Sequence, residues 1–360
     1  MGAEITVKMS TGINTESKNL WLFSAPIDLM IFAGSALLSF VFLAIGWQMG
    51  LLHSETPDWA WISAVLLVDV AHVWATSFRV YFDFEEFKRR LPLYLGVPIA
   101  GYILCVALYS EGELTFWQTL AILAVFHFVR QQYGWVMLYR RKLAENDKLS
   151  YYIDAAAIYL STIYPLAFWT CNLPRNFQWF VQNDFLPLPN WLDDLLFPLY
   201  VISLMAYFCK SIYLYVKKGF LNPGKDIVVA TTAACWYIGI VALNSDFAFT
   251  VTNVLIHGIP YFAIVYFYAR SRKSQTNGLY RMLSSNWIVF LATLWFLAYL
   301  EELLWHRSIW HEREWLFGSY WDFDEWKTYL VPLLALPQLS HYILDGFIWR
   351  KKDNPNLQLP

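Results

Sequence analysis

Four histidines lie inside hydrophobic segments of this chain: His72, His127, His257 and His341. An ionisable side chain at the centre of a bilayer costs a few kcal/mol on insertion scales, so such a residue indicates a functional site. Imidazole nitrogens are ligands for iron, zinc and copper, and histidine pairs also hold haem. The sequence therefore predicts that these four residues share a metal or haem site.

Each of the four histidines has polar residues three or four positions away, which is the spacing that shares one face of a helix. These neighbours are Asp69, Arg130, Gln131, Asn253, Gln338 and Asp345. A metal-bound histidine usually gives its second N–H to a carboxylate or amide. We expect Asp69 and Asp345 to hydrogen-bond His72 and His341 or to bind the metal directly. We assign catalytic roles to Asp69, Arg130 and Asp345.

The composition is that of a membrane protein. Of 360 residues, 58% are hydrophobic and only 15% are charged, whereas a soluble protein carries about 25% charged residues. The four cysteines stand at no metal-ligand spacing, which favours a role as small buried apolar side chains. The chain is predicted to be all-α, a polytopic bundle of transmembrane helices.

About ten segments are long and apolar enough to cross a bilayer, which takes about 20 residues. They form one transmembrane domain, 21–349, after a polar N-terminal segment, 1–20, that lacks the pattern of a cleaved signal. Residues 350–360 form a C-terminal tail. The predicted spans are 21–49, 59–82, 92–110, 115–139, 151–171, 192–216, 226–244, 247–269, 285–304 and 328–349.

The basic residues orient these spans. Nineteen of the 26 fall in alternate loops and at the two ends of the chain, whereas the opposite loops hold four. Because cytoplasmic loops carry the excess of Lys and Arg, we expect both termini in the cytoplasm, in a bacterial inner membrane. Three basic residues lie within spans. Arg79 is expected to extend to the inner surface, and Arg130 to be paired or to bind an anionic head group.

The four histidines also share one depth. All lie on spans that run from outside to inside, and His127 and His257 each precede the next basic residue outside their span by 13 positions. With a rise of 1.5 Å per residue, these spacings place the four imidazoles at similar depths. Because they share a depth, we predict that they converge to within about 10 Å of one or two common centres. The alternative is that each histidine is an ordinary donor between packed helices.

One outer loop is rich in tryptophan and charge. Residues 305–327 are predicted to form an amphipathic segment in the outer membrane interface. His306 and His311 lie there among acids and Arg. We expect both on a solvated face rather than in a second metal site.

Two resemblances bear on function. The HxxxH and HxxHH clusters of membrane desaturases and hydroxylases are absent from the sequence. Single histidines on separate spans resemble the arrangement in bacterial membrane β-carotene dioxygenases, which implies iron and oxygen chemistry, although the Gly and Pro that adjoin those histidines are not matched. The segments HFVRQQYGW and HYILDGFIWR resemble those of bacterial multi-pass membrane proteins of uncharacterised function.

The sequence favours a metal-dependent membrane oxidoreductase that acts on a lipid or another lipophilic small molecule. Non-haem iron is the preferred cofactor, with haem or zinc as alternatives, and a redox partner is expected on the cytoplasmic side. A haem- or pigment-binding electron-transfer protein and a transporter with a polar midplane site remain alternatives. The absence of a phosphate-binding Gly loop argues against soluble nucleotide cofactors and nucleic acid.

Overall fold

The computed structural model describes residues 20–272 and 278–354. Almost all of the predicted N-terminal segment 1–20, and residues 355–360 of the predicted tail 350–360, lie outside the described residues. Within the described ranges every regular element is helical and no strand occurs, which confirms the all-α prediction.

Eleven helices of eight or more residues run through the described part of the chain. They are α1 (Ala25–Gln48), α2 (Asp58–Arg79), α3 (Leu91–Glu111), α4 (Glu113–Lys142), α5 (Lys148–Cys171), α6 (Trp191–Lys218), α7 (Pro223–Ala242), α8 (Asp246–Ser271), α9 (Trp287–Trp310), α10 (Lys327–Leu334) and α11 (Leu336–Ile348). Shorter helices cover Phe84–Arg89, Gly278–Leu283 and Glu314–Phe317.

Seven of these helices are long and apolar enough to cross a membrane: α1, α2, α3, α6, α7, α8 and α9. That finding is compatible with an integral membrane protein. The predicted spans 115–139 and 151–171 are also helical, as α4 and α5, but these two helices contain more polar residues and are not among the seven. The buried share is 83% for the apolar stretch of α8 and 17% for those of α3 and α6. Helix α8 is therefore central and the other two are peripheral.

The predicted tenth span, 328–349, is broken into two helices. Helix α10 ends at Leu334 and α11 begins at Leu336. Pro337 has no N–H to donate to the carbonyl of Leu333, so the helical ladder is interrupted there. The break separates α11, which carries His341, from α10.

Helix α2 is wound with i→i+5 hydrogen bonds over Trp61–Val70, directly before His72. Such π-helical turns are uncommon and occur frequently at functional sites. Helix α8 packs closely against this stretch at Gly258, where an added Cβ would lie 2.6 Å from Cγ1 of Val68. Since any side chain at Gly258 would push the two helices apart, this contact brings His257 close to His72.

The predicted interfacial segment 305–327 needs correction. Helix α9 continues to Trp310, and His306 is only 3% exposed. The His306 ring stacks on Phe317, with centroids 4.7 Å apart, and packs edge-on against Trp61 at 5.2 Å. The prediction of a solvated His306 was therefore wrong, because aromatic residues from elsewhere in the chain cover it. His311 is exposed, as predicted.

Two of the three basic residues predicted within spans, Arg79 and Lys210, make ion pairs with buried acids. Arg79 is 1% exposed, and its Nη1 lies 3.2 Å from Oε1 of Glu86. Burial would raise the pKa of the Glu86 carboxyl, but hydrogen bonds from Arg89 and the charge of Arg79 outweigh it and lower that pKa to about 2. Lys210 donates to Asp154 on α5. Arg79 is thus bound to an acid rather than free in water.

Candidate metal centre

The four histidines meet at one point between α2, α4, α8 and α11. One ring nitrogen from each lies within 4.8 Å of those of the other three, and no side chain of the four is more than 3% exposed. Nε2 of His72 is 3.1 Å from Nε2 of His257, and Nε2 of His127 is 3.0 Å from Nε2 of His341. The predicted convergence is confirmed.

Aromatic packing fixes the ring of His257. It stacks on Phe128 of α4 with a centroid separation of 3.5 Å and an interplanar angle of 5°. Phe128 follows His127 directly in the sequence, so one turn of α4 both supplies one histidine and orients another. The ring of His127 in turn packs against Tyr342 of α11 at 5.1 Å.

The histidines satisfy one another as hydrogen-bonding partners only at Nε2. Between two facing Nε2 atoms only one proton fits, so one ring of each neutral pair can donate. Nδ1 of His72 and Nδ1 of His257 have no hydrogen-bond partner, although a buried unsatisfied polar group costs about 1–3 kcal/mol. A cation at the centre would accept all four Nε2 lone pairs at once, which fits the donor set of the cluster.

The distances within the two pairs bear on coordination geometry. At about 2.1 Å from an ion, two nitrogens separated by 3.0–3.1 Å subtend an angle of roughly 90°, whereas tetrahedral ligands would lie about 3.4 Å apart. Imidazole nitrogens suit zinc, copper, iron and nickel, so these four residues would hold a transition-metal ion.

A chain of hydrogen bonds sets the tautomer of His341. Its Nδ1 lies 2.7 Å from Oγ1 of Thr76, which is 2.9 Å from the hydroxyl of Tyr261. That hydroxyl donates to Oδ1 of Asp345 at 2.5 Å. The Tyr261 hydroxyl has one proton and gives it to Asp345, so it accepts from Thr76, and Thr76 in turn accepts from His341. His341 then carries its proton on Nδ1, and its Nε2 presents a lone pair to the centre of the cluster.

The predicted direct bond between Asp345 and His341 is therefore replaced by a relay. The ring of His341 is directed across the bundle to Thr76 on α2, and Asp345 also accepts from Nε1 of Trp349 at 3.1 Å. Its other oxygen lies 3.9 Å from Nδ1 of His127. Tyr261 had no predicted role, although it stands four residues after His257 on the same helical face.

Asp69 and Asn253 are near their predicted partners without bonding them. Oδ1 of Asp69 is 3.6 Å from Nδ1 of His72, because the wide i→i+5 turns move residues three apart off a common line. The Asn253 amide donates to the carbonyl of Phe249 at 2.9 Å rather than to His257.

Arg130 lies beside the cluster and not in it. Its side chain is exposed, donates to the hydroxyl of Tyr159 and covers the ring of Tyr133 at 4.8 Å. It lines a groove of about 270 Å³ that also contacts His127 and Asp345. Arg130 is thus placed to contact a molecule in the groove.

The floor of this groove is open at two glycines. At Gly134 on α4 and Gly346 on α11, an added Cβ would meet nothing within 4 Å. The groove is lined by α4, α8 and α11, and Phe126 at its edge is 62% exposed. Its mouth therefore lies on the flank of the bundle, where membrane lipid would be.

No protein-family model, curated protein or solved structure matched the chain when it was compared with each. Function is therefore inferred from the geometry of the site.

We predict that Tyr261→Phe weakens metal binding by about tenfold, the usual cost of losing an outer-shell partner of a ligating histidine. The substitution removes only the hydroxyl that joins Thr76 to Asp345. Competition with a chromophoric chelator measures the affinity. The control is Tyr94→Phe, which removes another buried tyrosine hydroxyl bound to a carboxylate, that of Glu86. Equal affinity in Tyr261→Phe and wild type would contradict the relay.

Proposed function

We propose that this protein is a metal-dependent membrane oxidoreductase in which His72, His127, His257 and His341 hold non-haem iron. The observation that carries the proposal is the convergence of four buried histidines, each with one ring nitrogen within 4.8 Å of those of the others. Imidazole donors with open positions suit iron and oxygen chemistry. The iron would supply the redox step, with dioxygen as oxidant and electrons from a partner on the side of the basic loops.

Two haems held by histidine pairs are harder to accommodate. A haem plane must lie between its two axial nitrogens, each about 2 Å from the iron, so those nitrogens are about 4 Å apart. The two Nε2 pairs here are separated by 3.0 and 3.1 Å. The compactness of the whole cluster also leaves no space for two macrocycles. A single ion is therefore preferred.

The proposed substrate is a lipophilic molecule with an anionic group. Three arginines line the groove beside His127: Arg130, Arg141 and Arg350. Among the described residues that line the groove, Asp345 is the one carboxylate. Arginine recognises carboxylate and phosphate in planar pairs of hydrogen bonds, while the exposed flank at Phe126 suits an apolar chain. Arg130 would hold the head group, and Asp345 and Asp69 would hold protons beside the metal ligands.

A transporter of metal ions is the second candidate. A second, larger cavity of about 730 Å³ lies across the cluster from the groove and contacts Asp69 and Asn253. Polar space on both sides of a midplane site is typical of transporters. Release of bound metal to the side of the basic loops in proteoliposomes would favour this candidate, and stoichiometric retention favours the oxidoreductase.

We predict that the purified protein contains about one iron per chain and that His127→Ala and His257→Ala each lose most of it. Elemental analysis measures the content. Oxygen uptake with a membrane-lipid extract and a chemical reductant should depend on that iron. Zinc at the same stoichiometry without oxygen uptake would contradict the redox proposal. A Soret band would instead indicate haem.

We predict that Gly134→Leu fills the groove and lowers retention of added phosphatidylglycerol by about tenfold or more, because the side chain occupies the ligand's position. Native mass spectrometry measures the bound lipid, and metal content should not change. Gly96→Leu is the matched control, since Gly96 is also helical with open space at its Cβ but lies outside the groove. If Gly134→Leu lost bound phosphatidylcholine to the same extent as phosphatidylglycerol, the anionic group would not be recognised.

We further propose ten membrane crossings with both termini cytoplasmic, supported by the alternation of basic residues along the loops. A reporter that works only in the cytoplasm should be active when fused after Lys352. A reporter that works only outside the cytoplasm should be active when inserted at Gly318, in the loop after α9. An extracellular signal after Lys352 would overturn the orientation.

A further inference from the structure

The cavity across the cluster from the arginine groove is built at the end of the bundle away from the basic loops. Its walls come from the loop before α2, the loop before α6 and the end of α9. Its inner wall includes Phe128, which stacks on His257, and Asp69, whose carboxylate lies 3.6 Å from Nδ1 of His72. The cavity therefore extends from the loops to the immediate surroundings of the histidines.

The charge of this cavity is opposite to that of the groove. Its lining carries five carboxylates and two arginines: Glu55, Asp69, Asp246, Glu302, Glu312, Arg175 and Arg313. Arg175 donates to the backbone carbonyls of Ile240 and Leu243, and Arg313 is paired with Asp58 and Glu312. A cleft with an excess of one sign of charge concentrates ions of the other sign. This cavity favours cations, whereas the groove favours anions.

A buried histidine whose ring makes no hydrogen bond lies in the wall of the cavity. His306 is 3% exposed, and neither of its ring nitrogens makes a hydrogen bond. Its Nε2 lies 3.3 Å from Oε2 of Glu302, one helical turn nearer to the middle of α9. The side chain of Asp69 is 34% exposed, so it is accessible from the cavity. Imidazole and carboxylate lone pairs thus line the way inward.

We propose that this cavity is the route by which a divalent transition-metal ion reaches the histidine cluster, with His306 and Glu302 binding the ion in transit and Asp69 receiving it beside His72. The proposal rests on the metal centre of the proposed function and is independent of the reaction catalysed there. It assigns a task to Glu302 and His306 that the proposed chemistry does not use.

The test is the rate of Co²⁺ uptake by the metal-free full-length protein, followed by the visible absorption of the bound ion. In Glu302→Gln and His306→Gln, uptake should slow by about tenfold, within the range by which charged clefts alter association rates. The final stoichiometry should be unchanged. Glu301→Gln is the matched control, because Glu301 is the buried neighbour of Glu302, bonds Trp74 and does not line the cavity.

A second arm blocks each opening in turn. In a Cys209→Ser background, which removes the exposed native cysteine, a bulky thiol reagent on Gln178→Cys at the cavity mouth should stop uptake. The same reagent on Arg141→Cys in the groove should not. Normal rates in both α9 variants, or block only at Arg141→Cys, would overturn the proposal. If wild type binds no Co²⁺ at all, the metal centre fails as well. Uptake by this route without any iron-dependent oxidation would overturn the oxidoreductase alone.

Discussion

The structure depends on bringing four imidazole nitrogens together inside an apolar bundle. Lone pairs about 3 Å apart repel unless a proton or a cation lies between them. Each histidine comes from a different helix, α2, α4, α8 or α11, so the ion that removes this repulsion would also tie those helices together. Metal binding would then contribute to folding free energy as well as to chemistry.

The helices reach this arrangement through local departures from regular geometry. Gly258 allows α8 to touch α2 at Val68, i→i+5 turns precede His72 in α2, and a break at Ala335 precedes His341. The ligands therefore depend on backbone features as well as on side-chain contacts. A relay through Thr76 and Tyr261 then fixes which nitrogen of His341 faces the centre.

The helical class, the helical segments and the convergence of the histidines could be predicted from sequence, because hydrophobic length and distance to the basic loops are local quantities. The hydrogen-bond partners could not. Thr76 bonds a histidine 265 positions away, and helical spacing within one segment carries no information about such a contact. His306 was misjudged for the same reason: its sequence neighbours are charged, but Trp61 and Phe317 bury it.

Under the proposed function, the opposite charges on the two sides of the cluster separate the route of the metal ion from the binding site of the anionic lipid. A cation is repelled by the arginines of the groove and attracted by the carboxylates around Glu302, while an anionic lipid experiences the reverse. Metal loading and substrate binding then use different surfaces of the same four histidines. A bound substrate would leave the metal route open, and a metal ion on its way to the histidines would not pass the head group at Arg130.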